Sequence, residues 1–128
     1  MPSNESSPLR VKTPQEGQKA RVEAYAAQIA LNEKTLKEAE AYTADCEERA
    51  MQLRAALEQF REDMREKKLD ALAREAVQEQ IHAIENETAR LDMLVQEQRI
   101  TISELKEHQR TLAMDKQLLK EAGASQTY

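Results

Sequence analysis

The chain has 128 residues, 34% of them charged and 3% aromatic, with a net charge of −5, two glycines and three prolines. The prolines stand at 2, 8 and 14, the glycines at 17 and 123, and residues 18–122 contain neither. An ordinary sheet fold, with a turn every ten residues or so, is thereby excluded, and a composition rich in Ala, Glu, Lys, Leu, Arg and Gln points to long helices or coiled coil.

Residues 1–12 combine serines, two prolines and an asparagine with little to bury, and are expected to form a disordered arm. The polar run Met1–Thr13 resembles neither a secretory signal nor a membrane anchor. Thr13-Pro14-Gln15-Glu16 then reads as a helix start: Thr at the N-cap, Pro at the first helical position and Glu at the third, a capping box that satisfies otherwise orphaned amides.

From that start the apolar residues follow a heptad. With Val22 at a, the a series is Val22, Ile29, Leu36, Thr43, Ala50, Leu57 and Met64; the d series is Tyr25, Asn32, Ala39, Cys46, Leu53 and Phe60. A second unbroken series runs Val77, Ile81, Ile84, Thr88, Leu91, Val95, Gln98, Ile102, Leu105, Gln109, Leu112, Lys116 and Leu119. Met64 and Ile81 both occupy a, but their separation is two heptads plus three residues, so one straight seam cannot serve both series.

Two accounts of the slip compete: a stammer in one continuous helix of roughly 160 Å, or a turn between two helices of roughly 75 to 80 Å. The second is preferred. Lys67-Lys68-Leu69-Asp70 is the natural turn, with Asp70 as N-cap of the second helix. The expected fold is all-α, an antiparallel two-helix coiled-coil hairpin, with helix 1 at about 14–66, a turn at about 67–70 and helix 2 at about 71–122. Lys120-Glu121-Ala122-Gly123 reads as a last turn closed by a left-handed glycine, followed by a flexible tail over 123–128.

In an antiparallel pair each a faces a d of the partner, and residue numbers summing to 141 meet that condition along the whole seam. Met64 then faces Val77, Phe60 faces Ile81, Leu57 faces Ile84, Leu36 faces Leu105, Ile29 faces Leu112 and Val22 faces Leu119. Small residues meet large ones: Ala50, Cys46 and Ala39 face Leu91, Val95 and Ile102. Polar residues also meet each other, Asn32 with Gln109 and Thr43 with Gln98, while Tyr25 faces Lys116. The adjacent register, summing to 134, sets Asn32 against Ile102 and Gln98 against Leu36, so the first is preferred. The apolar seam is thin against the chain entropy it must offset, which favours a rod that works against a partner or self-associates.

Enzymatic signals are absent. There is no glycine-rich phosphate loop, no His/Cys cluster for zinc and no cofactor motif. His82 and His108 read as surface residues, Cys46 as a small apolar d residue in a reducing compartment, and Glu47, Glu48, Glu85 and Glu87 as solvated-face carboxylates. The acidic balance, with 19 basic and 24 acidic residues interspersed, disfavours nucleic acid as a partner, and no run of about 18 apolar residues offers membrane insertion. One cluster stands out. Arg61, Arg65, Lys67 and Lys68 gather near the expected turn, beside Leu69 and Leu72, which fall outside both heptad series and would be partly exposed there.

The chain resembles the small coiled-coil stalk proteins of type III secretion, represented by flagellar FliJ and injectisome YscO. The resemblance covers about residues 9 to 122. It lies in the basic start Leu9-Arg10-Val11-Lys12, the Ala- and Glu-rich stretch Glu33 to Glu58, the polar turn, and the strings Leu69-Asp70-Ala71-Leu72-Ala73-Arg74-Glu75 and Gln80-Ile81-His82-Ala83-Ile84. It implies a cytoplasmic stalk whose paired terminal ends sit in the pore of the hexameric secretion ATPase, whose turn touches the export gate, and which escorts chaperones. Carried onto this chain, the ring-facing residues are Arg10, Lys12, Lys19, Arg21, Lys116 and Lys120, and the gate-facing ones are Leu69, Leu72 and the cations from Arg61 to Lys68. The chain differs from several members in being acidic and having only one Phe and three Tyr. A structural coiled-coil subunit of a scaffold or tethering complex, or a helical secretion chaperone, is the alternative expectation.

Overall fold

A computed structural model describes residues 13–125; the expected arm, with Arg10 and Lys12, and tail residues 126–128 lie outside them. Two helices, α1 (Pro14–Glu66) and α2 (Ala71–Ser125), pack antiparallel as a hairpin, and no strand occurs among the described residues. The start of α1 is the expected capping box. Thr13 Oγ1 accepts from the Glu16 amide at 3.1 Å, and Glu16 Oε2 accepts from the Thr13 amide at 3.4 Å.

The bend is built without glycine or proline. Lys67 N donates to Asp63 O at 3.0 Å, carrying the α1 ladder one residue past Glu66, and the chain turns over Lys67–Asp70. Asp70 then caps α2: its Oδ1 accepts from the Ala73 amide at 2.7 Å, and its carbonyl accepts from Arg74 N at 2.9 Å. The slip between the two heptad series is therefore a turn, not a stammer.

Every a and d residue of both series is buried or half-buried. Two units divide the described residues, 36–104 and 13–35 with 105–125. In 36–104 the core is Cys46, Ala50, Leu91 and Val95, flanked by Leu53 and Leu94. Ala50 opposite Leu91 and Cys46 opposite Val95 is the register summing to 141, with small side chains admitting large ones. Thr43, expected to meet Gln98, is buried but donates to Ala39 O of its own helix at 2.8 Å, and Thr88 donates likewise to Glu85 O at 3.0 Å. A hydroxyl on a helix reaches the preceding turn more easily than a partner across the seam.

In the other unit the amide layer is present. Asn32, 8% exposed, donates through Nδ2 to Gln109 Oε1 at 2.8 Å and to Leu105 O at 3.0 Å, while Gln109 Nε2 donates to Glu33 at 3.1 Å. The end of α2 differs from expectation. Gly123 is not left-handed, and the helix continues through it to Ser125. The position is closely approached: a Cβ at 123 would lie 2.5 to 2.9 Å from side-chain atoms of Gln18, which would have to shift. Gln18, whose amide donates to Leu119 O, and Gly123 thus extend the same register by one layer.

Candidate functional site

Of the six residues expected at the tip, Arg61 and Arg65 lie in the last turns of α1, Lys67, Lys68 and Leu69 in the turn, and Leu72 in the first turn of α2. Leu72 is the most prominent, at 79% exposure the most accessible of the exposed large apolar side chains. It stands in the first turn of α2, held by the Asp70 cap, so an apolar group projects from a rigid element and not from a loose loop. Leu69 is half-buried in the turn and Lys68 is exposed.

The cations beside them are not a free basic patch. Arg61 pairs across the hairpin with Glu85 at 3.4 Å, Arg65 with Glu58 at 3.4 Å, and Lys67 with Asp63 at 3.4 Å. Their side chains remain 45 to 65% exposed, so each pair stays hydrated and contributes little to stability. Arg61, Arg65 and Lys67 each sit where a carboxylate one or two turns away, or on the opposite helix, already balances them. The tip therefore offers an apolar point beside a largely neutralised rim.

At the terminal end Lys19, Arg21 and Lys120 are exposed and Lys116 is half-buried on the seam, as is Tyr25. A shallow groove of about 310 Å³ lies along the first turn of α1, lined by Thr13, Pro14, Gly17, Gln18 and Arg21. Lys19 and Arg21 lie on α1 and Lys116 and Lys120 on α2, while the Arg10 and Lys12 members of the set are outside the described residues.

One arrangement is not marked by the heptad's apolar positions. At the e positions of residues 36–104, Glu47 accepts from Arg99 at 3.2 Å, Arg54 from α1 donates to both oxygens of Asp92 at 2.5 and 2.6 Å, and Arg61 meets Glu85. These are three successive cross-helix ion pairs on one flank. The signal was present in the sequence as opposite charges at e positions whose numbers sum to 146. A groove of about 500 Å³ opens between the first two pairs, with Ala50 and Val95 at its base and Met51 on its wall.

The opposite flank is built differently. The neighbouring Cys46 thiol pushes the Tyr42 phenol above the usual tyrosine range. Glu87 bonds Arg90 one turn along α2 at 2.6 and 3.0 Å, and that contact holds its carboxyl below the usual carboxylate range and raises the guanidinium. Among the described residues no group of three or more His, Cys, Asp or Glu is placed to hold a metal ion, and no helix is long and apolar enough to cross a membrane. His82 and His108 are both exposed. Comparison with protein-family models, curated proteins and solved structures gives no match.

Proposed function

We propose that this chain is a non-enzymatic, cytoplasmic stalk or adaptor of a type III secretion system, binding the hexameric secretion ATPase with its terminal end and the export gate with its tip. The observation that carries the reading is Leu72: an apolar side chain presented at 79% exposure on the capped first turn of α2, where a protein partner would cover it. The resemblance to secretion stalks adds the identity of the partners, and the two long helices joined by a tight turn supply the architecture such a stalk needs. Its action is mechanical: the ring engages Lys19, Arg21, Lys116 and Lys120, and the helices transmit that engagement to the tip. Chaperone escort belongs to the same reading.

The test is the ATPase of the same system, purified, with this protein added. Activity or hexamer population should rise; no change in either removes the stalk reading. Leu72→Glu should leave that stimulation intact while abolishing export-gate capture, since it alters the tip alone.

A second reading, a structural subunit of a scaffold or tethering complex, draws on the e flank, whose ion pairs leave a face without net charge on an acidic chain. It predicts a stable helical assembly with no effect on any ATPase.

A further inference from the structure

We propose that the flank of residues 36–104 carrying the Glu47–Arg99 and Arg54–Asp92 pairs is a self-association surface, occupied by the same flank of a second copy of this chain. The inference is independent of the secretion reading.

Charge order identifies the occupant. Reading from Glu47 toward the tip, the α1 column runs acid, base, base through Glu47, Arg54 and Arg61; the α2 column at the same levels runs base, acid, acid through Arg99, Asp92 and Glu85. A two-fold axis parallel to the seam keeps each level in place and lays α1 of one copy on α2 of the other. Every charge then meets an opposite charge on its own hairpin and another on the partner copy. The face is complementary to itself, as an isologous interface requires. The four helices so formed have antiparallel nearest neighbours, the arrangement of an up-down bundle.

Shape agrees with charge. Met51 is 63% exposed beside the groove of about 500 Å³ whose base is Ala50 and Val95. On the facing copy the level of Met51 is met by the α2 row of Ala89 and Gln96, both exposed and uncharged. A long, flexible thioether thus meets small and neutral side chains, and fills space that the hairpin leaves open. The hairpin also has a deficit to make good: among the described residues no large side chain is less than 2% exposed. A second copy would deepen burial of the Cys46, Ala50, Leu91 and Val95 core from outside. The opposite flank lacks the ladder, because its Arg90–Glu87 pair runs along one helix and offers a facing copy no matching column.

The experiment is sedimentation equilibrium on the full chain. Twice the 14.6 kDa chain mass is expected, dissociating on dilution. Met51→Glu, at an exposed position that does not touch the seam, should weaken association by about tenfold or more while helical circular dichroism is unchanged. Met93→Glu is the control: Met93 is equally exposed, at 65%, but lies on the outward face of α2, and its variant should dimerise like the parent. A monomer at millimolar concentration overturns the proposal. So does a dimer that Met51→Glu leaves intact, or one that Met93→Glu weakens as much.

Discussion

Two stretches of one seam solve the same problem with different chemistry. In residues 36–104 the layers are apolar and complementary in size, Cys46 and Ala50 against Val95 and Leu91. Between the ends, Asn32 and Gln109 occupy the seam and bond each other, with Leu105 O and Glu33 completing the network. The apolar layers supply burial, yet neighbouring registers of Leu, Val and Ala would bury nearly as much. The amide layer supplies little net stability but is satisfied in one register only, because a slip by one heptad would leave a buried amide facing an apolar side chain. The difference teaches that adhesion and alignment are separable in a heptad hairpin and are placed in different stretches of it.

The largest effect should come from breaking the apolar stretch. Leu91→Ala removes a side chain only 4% exposed and should cost about 2–5 kcal/mol, read as a lowered urea midpoint. Asn32→Ala should cost less, about 1–3 kcal/mol, by leaving the Gln109 amide without its partner. The sharper test is the double replacement Asn32→Leu with Gln109→Leu. It should match or exceed the parent in stability by the same denaturation, because both polar groups leave together. A large loss in the double variant would show the amide pair to be adhesive and remove the distinction drawn above.

Smaller still is the ladder. Arg54→Ala should cost no more than about 1 kcal/mol, since both partners are more than half exposed, and a double-mutant cycle with Asp92→Ala measures the pair itself. The smallest effect is electrostatic. The folded Glu87 carboxyl is depressed by Arg90, so its contribution is present above the ordinary carboxylate range and is lost as pH falls through the lower, folded value. Arg90→Ala should therefore lower stability slightly near neutrality, where that contribution is present, and flatten the acid limb, with parent and variant converging below the folded value. On the opposite flank, Cys46→Ala should bring the Tyr42 phenol back toward its ordinary titration, measured by ultraviolet difference absorbance.

Much of this architecture was legible in the residues. Thr13 and Glu16 mark one helix start and Asp70 the other, because capping is local chemistry within four residues. The Asn32–Gln109 layer follows from heptad arithmetic, since a buried amide must find a partner. What escaped depends on side-chain reach. Thr43 satisfied itself on Ala39 instead of seeking Gln98, and Gly123 serves close packing against Gln18 where a helix stop was expected. Arg61, Arg65 and Lys67 are individually paired, which a run of like residues conceals when the partner carboxylate lies four or seven residues away or on the other helix. Among the candidate surfaces, Leu69 and Leu72 stand out in the sequence by their departure from the heptad, and the tip cations by their clustering in an acidic chain. The e flank was passed over because each of its charges looks like an ordinary solvated residue until the register pairs them.

Cys46 is the only cysteine in the chain, and it faces Val95 in the register from which every layer above is derived. Oxidation of Val95→Cys offers the most direct measurement of that register. An intramolecular disulfide, seen as a faster-migrating chain of unchanged mass under non-reducing denaturing electrophoresis, is the predicted result. Crosslinking between chains through Cys46 to Cys46, as a parallel pair of long helices would give, contradicts it.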